Sequence, residues 1–388
     1  MDKTLLRSCP ICKNASKGEV LHTQAFVLPK GHILSAAAKY DVVSCSECGF
    51  VFADTPVGQD VYDRYYSQMS IYEMDYGALD ISKHMSQAKL IGSFLNDENA
   101  KIVDMGCGNG GLLQALKEIG YKNLTAIDPS RKCIDNIRKH GISGIEGSLF
   151  QNNISEKFDL VILSHVLEHI VNVSAALRVL RSMLSDNGVI YIEVPDASRY
   201  ADHYVVPYYY FDTEHINHFE EVSLINLGFE NGLRVTYLGK KDLVLGPDVK
   251  YPAVYAVYAK SYTSGSWKTN AKDSVLDYVD LSRNETGILD LIDGLVSSKE
   301  EIYIWGAGNY TMRLLENSPL CRCNIGGFID KDPNKCGMKI LDKAVFGTAI
   351  MKEMPEEVTI VVCSAIYSGE ILKEIESMHV KHKIVVLK

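Results

Sequence analysis

The chain has 388 residues, of which 46% are hydrophobic and 23% charged, a balance typical of globular proteins. This length predicts two or three domains, each with its own core. The formal net charge of −9 and the lack of a long basic run argue against a nucleic-acid partner. No apolar stretch approaches the roughly 20 residues that a membrane span needs, and the first residues lack the apolar core of a signal peptide. We therefore expect a cytoplasmic protein without a membrane partner; its oligomeric state stays open.

Two Cys-x-x-Cys turns mark the N-terminal region. They are Cys9-Pro-Ile-Cys12 and Cys45-Ser-Glu-Cys48. Together they supply four thiolates, which suit a tetrahedral zinc ion with no vacant position. The sequence therefore predicts a structural zinc site in a zinc-binding domain over residues 1–75. A redox role is the alternative, but the strand-to-helix context of a redox motif is missing.

Residues 76–262 alternate between strand and helix patterns, which predicts a doubly wound α/β sheet. The predicted strands lie near 101–105, 123–128, 142–146, 158–163 and 188–194. The predicted helices lie near 110–120, 130–140, 172–184 and 220–231. An antiparallel pair near 233–239 and 251–260 follows, and its second strand is supported by alternating side chains.

The most informative run is Lys-Ile-Val-Asp-Met-Gly-Cys-Gly-Asn-Gly-Gly at 101–111. Its glycines let the backbone approach a ligand, and the later acid Asp128 is placed to accept hydrogen bonds from a ribose. Asp104 stands just before the glycines. Its carboxylate would repel the pyrophosphate of a dinucleotide but suits a cofactor that bears an ammonium group and a sulfonium. A dinucleotide is the alternative, because the glycines also satisfy G-x-G-x-x-G.

These motifs resemble the class I S-adenosylmethionine-dependent methyltransferases, whose first motif is an acid-x-Gly-x-Gly-x-Gly turn. The resemblance implies a seven-stranded sheet and S-adenosylmethionine as cofactor. Asp128 would be the ribose ligand, Ser148 and Leu149 would flank the adenine, and His165 would begin an H-x-x-E-H stretch that shapes the cofactor pocket. The implied cofactor-binding residues are Asp104, Gly106, Gly108, Gly110, Asp128, Ser148, Leu149 and His165.

The loop after the strand near 188–194 carries Glu214 and His215 among aromatic residues. A general base needs an imidazole that titrates near neutral pH and a carboxylate nearby. We therefore predict that His215 is the base and that Glu214 orients it. The alternative is a tyrosine-rich loop that only packs on the sheet. The residues of this loop predicted to bind the acceptor are Tyr209, Tyr210, Asn217 and His218.

Residues 263–299 predict a helical linker, and residues 300–388 predict a Rossmann-like domain. This last unit opens with a strand at 301–305 and a glycine turn, its second strand ends at Asp330, and a third strand covers 358–363. Apolar residues precede these glycines where the first motif has an acid. A second methyl-donor pocket is therefore not expected.

The order of these parts resembles the sugar C-methyltransferases, which act on nucleotide-linked keto-sugars. The resemblance implies a nucleotide-diphospho-sugar as substrate and C-methylation of a keto-deoxysugar through an enolate formed by His215. The family has a tyrosine where this chain has Asp212. It also takes a tyrosine from the segment before the core, for which Tyr72 and Tyr76 are both candidates. The residues implied for binding the sugar nucleotide in the C-terminal unit are Gly306, Gly308, Asn309 and Asp330.

Two alternatives accompany this interpretation. The same architecture serves O-methylation of a sugar hydroxyl, in which case His215 would deprotonate an alcohol. A non-catalytic protein that binds a nucleotide sugar or NAD is the third possibility.

Overall fold

The computed structural model of the chain describes residues 2–69, 82–151, 154–245, 249–261, 265 and 267–388. The strands in chain order are β1 Asp2–Thr4, β2 Lys17–Ala25, β3 Lys39–Cys45, β4 Val51–Asp54, β5 Lys101–Met105, β6 Asn123–Asp128, β7 Ser143–Glu146, β8 Phe158–Ser164, β9 Leu184–Pro195, β10 Asn217–His218, β11 Leu233–Val244, β12 Lys250–Lys260, β13 Glu301–Trp305, β14 Asn324–Ile329, β15 Lys339–Ile340, β16 Lys343–Phe346, β17 Thr359–Val362 and β18 Lys383–Val386. The helices are α1 Gln59–Met69, α2 Ser82–Gly92, α3 Gly111–Glu118, α4 Arg131–Lys139, α5 Val173–Met183, α6 Glu221–Glu230, α7 Ala271–Asn284, α8 Gly287–Ser298, α9 Asn309–Asn317 and α10 Ser368–Ser377.

The central sheet has seven strands in the order β11-β12-β9-β8-β5-β6-β7. Strands β5 to β9 run parallel, and β11 and β12 form the antiparallel pair. Both faces are covered, so β5 and β8 are nearly continuous apolar runs, as parallel strands require. The predicted seven-stranded sheet is thus present, although β9 begins earlier and β11 ends later than predicted.

The carboxyl ends of β5, β6, β8 and β9 meet at one edge of the central sheet, where open α/β sheets bind ligands. The glycine turn follows β5, and the loop of residues 196–219 follows β9. The predicted cofactor residues and the predicted base therefore belong to segments that leave the same edge.

The N-terminal sheet is antiparallel in the order β1-β2-β3-β4-β10. Its last strand comes from the loop after β9, because Asn217 pairs with Phe52 and His218 with Val51. Two residues of the loop after β9 therefore belong to the N-terminal sheet. The predicted domain boundary at residue 75 did not include this pairing.

The C-terminal sheet has the order β15-β16-β14-β13-β17-β18, and only the β15–β16 pair is antiparallel. The two helices before it, α7 and α8, lie in the predicted linker and are packed rather than free. Tyr278 and Val279 of α7 and Ile292 and Leu295 of α8 are buried in one hydrophobic cluster with residues of the N-terminal sheet and of α9. No helix among the described residues combines the length and the apolar character that crossing a membrane demands.

Candidate active site

The glycine turn after β5 has the backbone conformation that only glycine adopts without strain. Gly106, Gly108 and Gly110 have φ values of +75°, +52° and +78°. A Cβ atom on Gly106 would lie 2.6 Å from Val166 Cγ2, so a side chain would also collide with the loop after β8. The turn is therefore held close to both the helix and the neighbouring loop.

Asp128 at the end of β6 fastens this turn. Its carboxylate accepts a hydrogen bond from the Gly108 N–H (2.9 Å) and one from the Ser130 N–H (2.8 Å). Ser148 and Leu149 follow β7 at the same edge, where Leu149 is buried and Ser148 accepts a hydrogen bond from the Gln151 N–H. Of these three predicted cofactor residues, Asp128 contacts the turn directly, and the roles of all three stay predictions.

Asp104 lies on β5 directly below the turn and is 3% exposed. Within the described part of the chain its carboxylate has neither a hydrogen bond nor a salt bridge. Burial and the charge of Asp128 raise the pKa of Asp104 to about 7. A buried carboxylate without a partner is costly and is relieved by a cation. The ammonium and sulfonium groups of S-adenosylmethionine have the charge that fits this site.

His165 directly follows β8 and forms ion pairs with two buried carboxylates. Its Nε2 lies 3.1 Å from Glu193 Oε1 and its Nδ1 3.4 Å from Glu168 Oε1. Lys241 Nζ lies 2.5 Å from the other oxygen of Glu193. Burial alone would lower the pKa of His165, but the two carboxylates raise it to about 9. His165 is therefore an imidazolium at neutral pH, and it has a positive φ of +54°.

The predicted base lies in a tight turn that Asp212 stabilises. The Asp212 carboxylate accepts the backbone N–H of Glu214 (2.8 Å) and of His215 (2.6 Å). Its second oxygen lies 3.8 Å from His215 Nδ1. Although burial opposes it, the charge of His215 and these N–H donors lower the pKa of Asp212. Asp212 thus places a carboxylate beside Nδ1 of His215, and the orienting role of Glu214 stays a prediction.

Glu214 is instead held by two tyrosines of α1. The Tyr65 hydroxyl donates to Oε1 and the Tyr66 hydroxyl to Oε2, each over 3.0 Å. Burial and the charge of Asp212 raise the pKa of Glu214 to about 7. The Tyr66 hydroxyl also lies 2.9 Å from His169 Nδ1. Tyr65 and Tyr66 belong to the aromatic stretch in front of the core, whereas Tyr72 and Tyr76, the predicted candidates, lie outside the described residues.

His215 and His169 meet edge to face, with ring centroids 4.8 Å apart. Glu168 completes this group, because one oxygen of Glu168 and one nitrogen of each histidine all lie within 4.8 Å of one another. The H-x-x-E-H stretch after β8 is thereby in contact with the predicted base, which lies in the loop after β9.

Three of the four residues predicted to bind the acceptor are used by the fold. Tyr210 is buried, stacks on Tyr200 with centroids 3.9 Å apart and donates to the His203 carbonyl. Asn217 donates to the Ile170 carbonyl (2.7 Å), and His218 is fully buried within β10. Only Tyr209 is partly exposed.

The C-terminal glycine turn repeats the design of the first. Asp330 accepts the Ala307 N–H (2.9 Å), and Lys335 Nζ lies 3.1 Å from the same oxygen. Gly306 has a φ of +115°, and a Cβ there would lie 2.4 Å from the Cys363 carbonyl oxygen. Gly308 precedes Asn309, the first residue of α9, and a Cβ on Gly308 would meet open space. Apart from its chain neighbours, no described atom therefore lies within 4 Å of the Cβ position of Gly308, just before α9 begins.

The four N-terminal cysteines lie together. Cys9 Sγ is 3.6 Å from Cys48 Sγ, and Cys12 Sγ is 3.5 Å from Cys45 Sγ. A zinc ion with four ligands at about 2.3 Å separates its sulfurs by about 3.8 Å, so this arrangement fits a tetrahedral ion. The cluster closes the turns between β1 and β2 and between β3 and β4.

Several residues of this site were not predicted as functional. These residues are Asp212 and Glu168 beside His215, Tyr65 and Tyr66 on Glu214, and Glu193 on His165. The tyrosines were visible as part of an aromatic run, and Glu168 as part of H-x-x-E-H. Glu193 gave no signal beyond its place near the end of a predicted strand.

Comparison with known proteins gives a consistent class. A family model described as a methyltransferase domain matches residues 82–238. The ubiquinone biosynthesis O-methyltransferase of Actinobacillus pleuropneumoniae serotype 7 is 30% identical over 103 residues, 24% of this chain and 44% of that protein. The protein of the same name from Methylocella silvestris is 31% identical over 101 residues, 24% of this chain and 39% of that protein. The chain spans less than half the length of these curated relatives.

Solved structures with similarity include a magnesium protoporphyrin IX methyltransferase from Synechocystis with bound S-adenosylhomocysteine. Its TM-score is 0.39 and its identity 16%, over 52% of this chain and 99% of that chain. A putative S-adenosylmethionine-dependent methyltransferase from Listeria monocytogenes has a TM-score of 0.38 and 14% identity, over 46% and 99% of the two chains. Residues 82–238 thus match the model of a methyltransferase domain, over less than half of the chain.

Proposed function

We propose that the chain transfers a methyl group from S-adenosylmethionine to a nucleotide-diphospho-sugar, by C-methylation of a keto-deoxysugar in surface-polysaccharide or natural-product sugar biosynthesis. The observation that carries this proposal is the joining of His165, behind the glycine turn, to His215 through Glu168. Donor and base would then act across one cleft.

The chemistry asks the protein mainly to position two molecules and to move one proton. Bound S-adenosylmethionine supplies a methyl group that is already activated. Asp104 would hold its ammonium side and Asp128 its ribose. His215 would accept the proton alpha to the ketone at Nε2, since Asp212 lies beside Nδ1. Tyr65 and Tyr66 hold Glu214 through their hydroxyl groups. We propose that Tyr209, the partly exposed tyrosine of the loop, replaces the tyrosine that the resembled family has at Asp212 in stabilising the enolate oxygen.

The two flanking units would serve this reaction. The four cysteines would hold a structural zinc ion, because four thiolates leave no coordination position for a substrate. In the C-terminal unit, Gly306, Gly308, Asn309 and Asp330 would hold the nucleotide-diphospho group. The position of Gly308 directly before the N-terminus of α9 supports this, because helix N-termini favour phosphate.

The test is to incubate the enzyme, S-adenosylmethionine and nucleotide-linked keto-sugars in heavy water. We expect deuterium exchange alpha to the ketone and a new carbon–methyl bond in the carbon NMR spectrum. His215→Gln should lose turnover by about a hundredfold or more while keeping donor affinity. Absence of both exchange and methylation across such sugars would contradict the proposal.

O-methylation of a sugar hydroxyl is the second candidate. Two observations favour it. The curated relatives that match part of the chain are named O-methyltransferases, and position 212 holds an aspartate in place of the tyrosine of the resembled family. His215 would then deprotonate an alcohol. A methoxy carbon in the product, formed without alpha-proton exchange, would decide for this candidate.

A further inference from the structure

Glu168 carries a buried charge, and its nearest described cationic contact is His165, whose Nδ1 lies 3.4 Å from Oε1. The side chain is fully buried, and neither carboxylate oxygen has a hydrogen-bond partner among the described residues. Buried carboxylates are normally hydrogen-bonded, and one that is not points to a functional role or to a nearby positive charge. Its neighbours decide which of these applies.

His169 in its neutral form does not donate a hydrogen bond to the Glu168 carboxylate. Its Nδ1 lies 3.0 Å from the Glu214 carbonyl oxygen, which only accepts hydrogen bonds. In the neutral imidazole Nδ1 therefore carries the hydrogen, and Nε2 has the lone pair. Nε2 is the atom 3.8 Å from Glu168 Oε1. The lone pair of His169 Nε2 and the carboxylate of Glu168, both hydrogen-bond acceptors, thus face each other beside His215.

The remaining charges form an alternating row. Lys241 contacts Glu193, Glu193 contacts His165, and His165 contacts Glu168. Positive and negative groups balance along this row. Glu168 ends it, so the end that faces His215 is negative.

Other charged and titratable groups also surround His215. Asp212 lies beside Nδ1, and the charge of Glu214 is held by its two tyrosines. Arg7 donates to the Ile216 carbonyl and to Asn217 Oδ1. The titratable groups with a described interaction with His215 are Glu168, His169, Asp212, Glu214 and His218.

We propose that Glu168 is a positioning residue for the base: its carboxylate stabilises the imidazolium that His215 becomes when it takes the proton of the acceptor. This inference rests on the proposed role of His215. The proton leaves the acceptor carbon or oxygen for His215 Nε2, and the electron pair left behind forms the new bond to the methyl carbon. The bond between sulfur and the methyl carbon breaks, and its electron pair stays on sulfur, which becomes a neutral thioether. The proton on His215 passes to solvent.

The direct test is an NMR titration of the histidine rings in the full chain with S-adenosylhomocysteine bound. Glu168→Gln should lower the pKa of His215 by about one unit, because a nearby negative charge is lost. His165→Gln should raise it, because the cation that offsets Glu168 is lost. Glu220→Gln is the matched control: Glu220 is a buried carboxylate that caps α6, and its loss should leave the His215 titration unchanged.

Opposite shifts from two neighbouring substitutions are not expected of a merely structural residue. An unchanged His215 pKa in Glu168→Gln would overturn the proposal, as would shifts of the same sign in both variants. If Glu168→Gln fails to fold, the predicted rise in His165→Gln decides the question alone. A second metal equivalent per chain that is lost in Glu168→Gln would also overturn it, because His215 would then be a metal ligand.

The titration uses no sugar, so its result is independent of which acceptor is methylated. Kinetics add a separate readout. Glu168→Gln should lower kcat about tenfold or more and move the acid limb of its pH profile downward, with little change in KM for the acceptor. A changed KM with an unmoved pH profile would count against the proposal.

Discussion

The Tyr66 hydroxyl lies 3.0 Å from Glu214 Oε2 and 2.9 Å from His169 Nδ1. A residue of the helix that follows the N-terminal sheet thereby contacts both the loop after β9 and the loop after β8. The N-terminal region is therefore part of the candidate site, in addition to carrying the four cysteines.

Tyr66→Phe should lower kcat by about tenfold to a hundredfold, because a hydrogen bond to a charged group is worth about 1.5–3 kcal/mol. It should also raise the pKa of Glu214 further, since the Tyr66 donor stabilises the ionised form. Steady-state kinetics over pH check this. Tyr62→Phe on the same helix is the control, because the Tyr62 hydroxyl donates to the Thr213 carbonyl rather than to Glu214. Equal losses in both variants would mean a general packing effect.

Loss of the proposed zinc ion should disturb the position of His215, because the N-terminal sheet connects the cysteine cluster to the loop that carries this residue. The second cysteine turn leads directly into β4, and β4 pairs with β10, two residues after His215. Chelation or Cys48→Ser should therefore abolish activity and lower the melting temperature by roughly 5 °C or more. Metal content, calorimetry and turnover are measured together. Cys321→Ser, at an exposed cysteine, is the control. Full activity in metal-free protein would contradict the expectation.

His165 should make stability depend on pH. Its pKa is raised from the ordinary value of 6.5 to about 9, so its stabilising effect is complete below about pH 6.5 and disappears as the pH rises through 9. Urea unfolding of the wild type and of His165→Gln should show a difference in unfolding free energy at pH 6 that vanishes near pH 10. A constant difference across this range would show that His165 acts by packing alone.

Donor binding should release a proton from Asp104. With a pKa of about 7 in the free protein, Asp104 is partly protonated at neutral pH, and a bound ammonium group would favour its ionised form. The affinity for S-adenosylhomocysteine should therefore fall as the pH drops below 7. Calorimetry in two buffers of different ionisation enthalpy measures the released proton. In Asp104→Asn the affinity should be weak and independent of pH.

Local patterns predicted the secondary structure of the core well. The helix expected near 172–184 is Val173–Met183, and the strand expected near 158–163 is Phe158–Ser164. Glycines, helix caps and apolar periodicity act within a few residues, so they can be recognised in one chain. The strand expected near 188–194 begins earlier, at Leu184, because Leu184 pairs with Phe158 of the neighbouring strand.

The contacts around the base could not be predicted in the same way. Asn217 and His218 form a strand only because β4 lies beside them, and a two-residue strand has no pattern of its own. Glu214 was expected to orient His215 since the two are adjacent in sequence. Its carboxylate contacts Tyr65 and Tyr66, about 150 residues earlier, and Asp212 takes the place beside the imidazole. Long-range packing of this kind leaves no local signal.

We propose that the site formed by Asp104 and the glycine turn after β5 binds a cationic methyl donor. Calorimetric titration of the wild type and of Asp104→Asn with S-adenosylhomocysteine, and separately with NAD, tests it most directly. We expect one S-adenosylhomocysteine per wild-type chain, at least tenfold weaker binding to Asp104→Asn (about 1.4 kcal/mol or more), and no binding of NAD in this cleft. Binding of NAD that Asp104→Asn strengthens, with no binding of S-adenosylhomocysteine, would contradict the account.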